Sequence, residues 1–161
     1  LVADGLGHGP EASLASPAAT QHFAHAPFQA PARLLGDAHD ALRATRGAVV
    51  LGLWLDAGQL RYAGAGNVAG RMFSGTSNKS LITPHGTMGL QARRLEATAA
   101  TLPPHGTVLI HSDGLQSRWP AEALGPLLRK DPVLLAARLY ADQARGRDDV
   151  CVLALRPEEA A

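Results

Sequence analysis

Val2-Ala3-Asp4-Gly5-Leu6-Gly7-His8-Gly9-Pro10-Glu11 is the stretch on which the reading of this fold turns. A short apolar run ends in Asp-Gly, further glycines follow at positions 7 and 9, and Pro-Glu comes next. Glycine permits φ > 0 and close approach of a ligand or another backbone. Proline suits the first helical position and glutamate the first turn. The stretch therefore predicts a strand, a tight polar loop and a helix start, with a carboxylate at the strand tip.

Working outward, two other stretches share this character. Thr107-Val108-Leu109-Ile110-His111-Ser112-Asp113-Gly114 is again an apolar strand running into Asp-Gly. Arg147-Asp148-Asp149-Val150-Cys151-Val152-Leu153-Ala154-Leu155 inverts the order, with two carboxylates opening an apolar strand. Taken singly, each Asp-Gly reads as a turn. Taken together, three carboxylate-tipped strands could converge on hard cations such as Mg²⁺ or Mn²⁺, which prefer oxygen ligands.

Five blocks in order then carry a resemblance: VADGLGHG (Val2 to Gly9), RYAGAGN (Arg61 to Asn67), HGTMGL (His85 to Leu90), LIHSDGL (Leu109 to Leu115) and RDDVCVLAL (Arg147 to Leu155). Nearly end to end, the chain resembles the metal-dependent serine/threonine phosphatases of the PP2C superfamily, in their bacterial sporulation-phosphatase-like (SpoIIE) branch. The form of the opening block looks most like RsbX-type phosphatases and phosphatases fused to an anti-sigma kinase-like ATPase domain. The resemblance implies an α+β fold, a four-layer α-β-β-α sandwich of two antiparallel sheets flanked by helices. It also implies a further acidic motif on strands upstream of the opening block. The chain begins with Leu1 in mid-motif, so those N-terminal strands are expected to lie before it.

Composition is consistent with one domain, expected over residues 1–156 with a tail at 157–161. Apolar residues make up 46%, which suits a packed core and excludes wholesale disorder. A net charge of +1 argues against a broad nucleic-acid surface. No run is apolar and long enough to span a bilayer, and no signal peptide is visible. The single cysteine, Cys151, falls inside a predicted buried strand and reads as a packed core thiol. These features fit a cytoplasmic protein.

The pattern along the chain predicts helices over Glu11 to Ala26 and Ala32 to Thr45. Pro17 is awkward inside the first, and Leu34, Leu35, Ala38 and Leu42 recur at helical spacing in the second. Strands are predicted over Ala48 to Asp56, Gln59 to Ala65, Val68 to Phe73, Ser80 to Thr83, Leu95 to Leu102, Thr107 to His111 and Asp149 to Leu155. Ser74 to Lys79 reads as a polar hairpin loop. Pro120 to Lys130 reads as a short helix and Pro132 to Arg145 as a longer one. Residues 157–161 read as a frayed tail.

Carried over by motif, Asp4 resembles the carboxylate bridging two metal ions, and Gly5 the residue whose backbone carbonyl is a ligand. Asp113 and Asp148 resemble the remaining carboxylates, while Asp149 reads as a supporting or turn-forming neighbour. The implied cofactors are two ions of Mn²⁺ or Mg²⁺. Eukaryotic members place a histidine directly after Asp-Gly as a proposed general acid. Here that position is Leu6, and His8 stands two residues on, able to touch phosphate, protonate a leaving group or merely orient the loop. His111 reads as a packing residue or a support for Asp113. The histidines at 22, 25 and 39 read as surface or packing residues, the 85–90 loop as mostly structural, and Arg93-Arg94 as solvated surface or an attraction for an acidic partner.

The resemblance implies hydrolysis of phosphoserine or phosphothreonine by a metal-activated water. The implied substrate is a small bacterial regulator of the anti-anti-sigma (STAS) or stressosome type, with an anti-sigma kinase-like ATPase domain as a fused or separate partner. No nucleic-acid or membrane partner is expected. Two alternatives are a non-catalytic module that keeps the fold and binds a signalling partner, and a hydrolase of a small phosphorylated metabolite.

Overall fold

The computed structural model describes residues 1–75, 77–92, 95–116 and 118–157. Arg93-Arg94, and the tail beyond Pro157, lie outside the described residues. In chain order the strands are β1 (Val2–Gly5), β2 (Ala48–Asp56), β3 (Gln59–Ala65), β4 (Ala69–Ser74), β5 (Ser77–Leu81), β6 (Thr98–Thr101), β7 (Thr107–His111) and β8 (Val152–Leu155). The α-helices are α1 (Ala15–His25), α2 (Pro31–Leu42) and α3 (Pro132–Gln143). The strands form two four-stranded sheets, ordered β1-β2-β3-β6 and β5-β4-β7-β8, so the fold is α+β as the sequence implies. Residues gather into two compact units, one comprising Leu1–Trp54, Leu60–Val68 and Thr83–Ala100, the other Leu55–Gln59, Ala69–Ile82 and Thr101 onward. No helix among the described residues is long and apolar enough to cross a membrane.

In the first unit α1 and α2 bury their apolar faces on the sheet. Leu34, Leu35, Ala38 and Leu42 of α2 pack with Ala15 and Ala19 of α1, and with Ala48, Val50, Ala63 and Ala65, which alternate along β2 and β3. Each fully buried leucine contributes roughly 1.5–3 kcal/mol over an exposed one. Helix α2 starts on Pro31, where the missing N–H has no intrahelical acceptor to lose. Thr45 closes the segment after it: its Oγ1 donates to the Leu42 carbonyl at 2.7 Å and accepts from the Gly47 N–H at 3.0 Å. Gly47, at φ 81°, then turns the chain into β2.

In the second unit α3 and a 3-10 segment, Ala121–Leu127, close over Phe73, Leu109, Leu115, Trp119 and Leu124, with Leu135 and Leu139 coming from α3. Asp131 caps α3, its carboxylate accepting the Val133 N–H at 2.8 Å.

Several boundaries differ from the sequence pattern, each for a local reason. Residues 10 and 11 form a turn, and a 3-10 turn at Ala12–Leu14 precedes α1. The α-helix proper starts at Ala15, which puts Pro17 in the first turn, where its absent N–H costs no hydrogen bond. The predicted 74–79 loop is mostly strand. Ser77 to Leu81 pairs with β4 in the register Ser74↔Ser77 to Gly70↔Leu81. This is an exposed edge strand, stabilised by backbone pairing rather than side-chain burial, and Lys79 gives it the charge typical of protected edges. The helix predicted at 120–130 is the 3-10 segment, because Pro126 interrupts α-type bonding. The last strand begins at Val152, and Cys151 is exposed rather than packed in the core. The apolar run suggested a buried strand, but β8 lies at the sheet edge.

Candidate active site

The first unit presents Asp4 and Gly5 at the end of β1. There Asp4 pairs with Val49 and Gly5 with Ala48. The pairing continues one residue beyond the strand, the Leu6 N–H donating to the Gly47 carbonyl at 2.9 Å. A Cβ at Gly5 would sit 2.2 Å from the Ala12 carbonyl oxygen, so only glycine lets the loop fold back over the strand tip. His8 lies in the exposed part of that loop. Arg46 flanks it: its Nη1 is 3.6 Å from where a Cβ on Gly7 would stand and 4.0 Å from Glu11 Oε2.

The 85–90 loop braces this strand end. Ala48 and Met88 exchange backbone hydrogen bonds of 3.0 and 2.8 Å. His39, on α2, accepts the Gly89 N–H on Nδ1 at 3.0 Å. The accepting nitrogen must be unprotonated, which places the proton of a neutral ring on Nε2. Sequence spacing gave no sign of this contact, because 50 residues separate the two partners.

The second unit brings Asp113 and Asp148 onto neighbouring segments. Ser112, between His111 and Asp113, is the tie. Its N–H donates to the Cys151 carbonyl at 3.0 Å, and its Oγ accepts the Cys151 N–H at 3.0 Å and donates to the Asp149 carbonyl at 3.3 Å. A Cβ on Gly114 would lie 2.3 Å from that same Asp149 oxygen, so the Asp-Gly here serves close approach of two segments as well as a turn. Asp148 is exposed, and its Oδ1 accepts the Asp149 N–H at 2.9 Å. Asp149 takes part here through its backbone N–H and carbonyl. Ser112 was not singled out in the sequence; its place one residue before Asp113 was the available signal.

His111 is buried, 4% exposed, with Nδ1 2.8 Å from the Ser112 carbonyl and its ring 6.4 Å from that of Trp119. Arg71 lies over the same indole at 4.3 Å. Burial lowers the His111 pKa from its ordinary 6.5; the hydrogen bond to Ser112 opposes this and the Arg71 charge adds to it. A lowered folded-state value means the unfolded chain binds the proton first. Stability is then full above pH 6.5 and declines as pH falls below 6.5 toward the folded value. In EDTA, His111→Gln is expected to flatten this limb of a urea-midpoint-versus-pH curve. An unchanged slope would remove His111 as its source.

The donor set at these strand ends is carboxylate and carbonyl oxygen, which suits a hard divalent cation. Asp4 and Gly5 belong to the first unit, Asp113 and Asp148 to the second. Among the described residues, no three His, Cys, Asp or Glu side chains stand close enough together to hold a metal ion.

Solved structures resemble the chain over nearly its whole length. A chain from work on the bacterial stressosome, a modular system adapted to control secondary messenger signalling, is 28% identical with a TM-score of 0.86, covering 96% of this chain and 82% of its own. RsbX in complex with magnesium is 21% identical with a TM-score of 0.76, covering 94% and 76%. The RsbU and RsbW domains of a Mycobacterium tuberculosis protein are 19% identical with a TM-score of 0.79, covering 94% of this chain and 50% of that one. The last two likenesses show the fold alone. No curated protein matches the chain. The family model described as Stage II sporulation protein E matches residues 1–158, and the chain belongs to that SpoIIE family.

Proposed function

We propose that the chain is a divalent-metal-dependent protein phosphatase that removes phosphate from phosphoserine or phosphothreonine of a bacterial regulatory protein. The observation that supports this reading is that family-matched carboxylates stand on or beside braced backbone: Asp4 on β1, which pairs with β2, and Asp113 next to Ser112, whose bonds reach Cys151 and the carbonyl of Asp149, the neighbour of Asp148. When bound, Mg²⁺ or Mn²⁺ would neutralise phosphoryl charge and supply a water acidic enough to attack at neutral pH. By family motif, Asp4 and the Gly5 carbonyl are the metal ligands the first unit would offer, and Asp113 and Asp148 those the second would offer. The Asp149 N–H fixes one oxygen of Asp148, which lowers the entropy lost when that carboxylate engages a ligand. The turn at Gly5 keeps the loop that carries His8 next to the strand tip.

The substrate that fits this family is a phosphorylated STAS-type or stressosome regulator, with an anti-sigma kinase-like ATPase as a fused or separate partner. The structural likenesses to a stressosome chain and to adjoining RsbU and RsbW domains support this choice. Phosphate release from a phosphoserine STAS protein should require Mn²⁺ or Mg²⁺ and stop in EDTA. Turnover that persists in chelator would point to a covalent route.

His8 is exposed beside the strand tip, where it can give a proton to the departing seryl oxygen. In that role His8→Ala lowers turnover of a phosphoprotein on the order of 10²-fold, yet spares p-nitrophenyl phosphate, whose leaving group needs little protonation. Equal rate ratios on the two substrates would confine His8 to orienting the loop.

A further inference from the structure

We propose that the second unit carries a binding pocket for a small phosphorylated organic molecule, at the end of its sheet opposite Asp113. Strand β7 separates the two places. Asp113 follows its last residues, whereas the pocket gathers where β7 begins, where β4 ends at Ser74 and where β8 runs out into Arg156. The cavity is about 600 Å³, within the roughly 300–1,000 Å³ usual for small-molecule sites.

Its charged lining is basic, with Arg129, Arg156 and His105 and no carboxylate among the described lining residues. Arg156 is held in place. Its Nε donates to Thr107 Oγ1 at 3.2 Å, and Nη2 donates to the carbonyls of Leu128 and Lys130 at 2.6 and 2.8 Å. These bonds tie the end of β8 to the segment after the second 3-10 turn, which is a structural role. Among the described residues they engage Nε and Nη2, which leaves the Nη1 donors for a ligand on a guanidinium whose ordering is already paid for by the fold. Guanidinium geometry matches phosphate oxygens pairwise.

His105 contributes a second sign. It adopts φ 59°, a left-handed conformation uncommon for a residue with a side chain, in a turn closed by the Gly106 N–H on the Pro103 carbonyl at 2.9 Å. Such strain, of order 1–3 kcal/mol, is concentrated at functional positions. Pro104 and Leu128 give apolar wall for an organic body, and open space lies above Gly75 and Gly125, where an added Cβ would meet nothing within 4 Å. Inorganic phosphate alone would leave most of this cavity unfilled.

The test titrates the full chain with adenosine monophosphate, adenosine and inorganic phosphate, following backbone amide shifts by NMR. The expected result is saturable movement of Gly75, His105 and Gly125 with the nucleotide. Adenosine and inorganic phosphate should each bind at least about tenfold more weakly, since each lacks one class of contact. Arg129→Ala should weaken nucleotide binding about tenfold by removing one charged partner. Gly125→Leu, which fills open space at a backbone conformation that accepts side chains, should abolish binding without lowering the melting temperature by more than a few degrees. Non-saturating shifts, or equal affinity in wild type and both variants, would overturn the pocket. Inorganic phosphate binding as tightly as the nucleotide would overturn its organic part. Phosphatase assays do not enter the test, so its failure leaves the proposed reaction standing.

Discussion

Asp4→Ala is expected to abolish phosphate release while the protein still folds. The loss should be on the order of 10³-fold or more, the upper end of what removing one charge-stabilising group costs an enzyme. The argument rests on position. Asp4 sits on a strand whose backbone is paired residue by residue, Val2↔Leu51 through Gly5↔Ala48. Truncating its side chain leaves those hydrogen bonds intact. Asp4 is also only half-buried, so little packing is lost. The check is a pair of measurements on wild type and variant: turnover with Mn²⁺, and the melting temperature with and without Mn²⁺. Wild type should melt higher with the ion, because a ligand that binds only the folded state stabilises it. The variant should lose that increment and keep the metal-free melting temperature. Retained turnover would remove Asp4 from the chemistry, and a collapse of the metal-free melting temperature would make its role structural.

The largest stability effect is expected at Gly64, in the RYAGAGN block. A Cβ there would stand 2.0 Å from the Val50 carbonyl oxygen and 3.0 Å from the Leu51 Cα. Both are backbone atoms of the neighbouring strand β2, so no rotamer change relieves the clash. Gly64→Ala should cost about 3 kcal/mol, the upper part of the range for overpacking a tight interior. For a chain of this length that corresponds to a fall of about 6–12 °C in melting temperature. Gly36 provides the contrast. It lies inside α2 with nothing within 4 Å of an added Cβ. Gly36→Ala should therefore stabilise by about 0.5–1 kcal/mol, the usual helix preference for alanine. Two Gly→Ala changes of opposite sign test the geometry directly. A neutral Gly64→Ala would mean that β2 and β3 can part there at no cost.

Much of this architecture was readable without coordinates because it rests on local chemistry. The α2 apolar stripe, the proline that opens α3 and the hairpin at Ala57-Gly58 follow from spacing and backbone preference, and each was found where the pattern placed it. The motif order also pointed to the family, and the family model spans the same residues. Predictions slipped where an edge replaced a core. Ser77 to Lys79 looked too polar for a strand, and Cys151 too apolar in its surroundings to be exposed. Both lie on or beside strands at a sheet edge, β5 and β8, where one side has no strand neighbour among the described residues and side-chain polarity no longer reports burial.

The sequence alone determined which carboxylates stand at or near strand ends: Asp4, Asp113 and Asp148, each beside a glycine or a second aspartate. Such patterns are short-range, and short-range chemistry survives in a linear string. Tertiary structure decided what holds those tips. Ser112 engages Cys151 across 39 residues, and His39 takes the Gly89 N–H across 50. Hydrogen bonds are satisfied wherever the folded chain brings donor and acceptor within about 3 Å. Contacts between such distant residues have no period for a sequence pattern to display, so only the completed fold could reveal them.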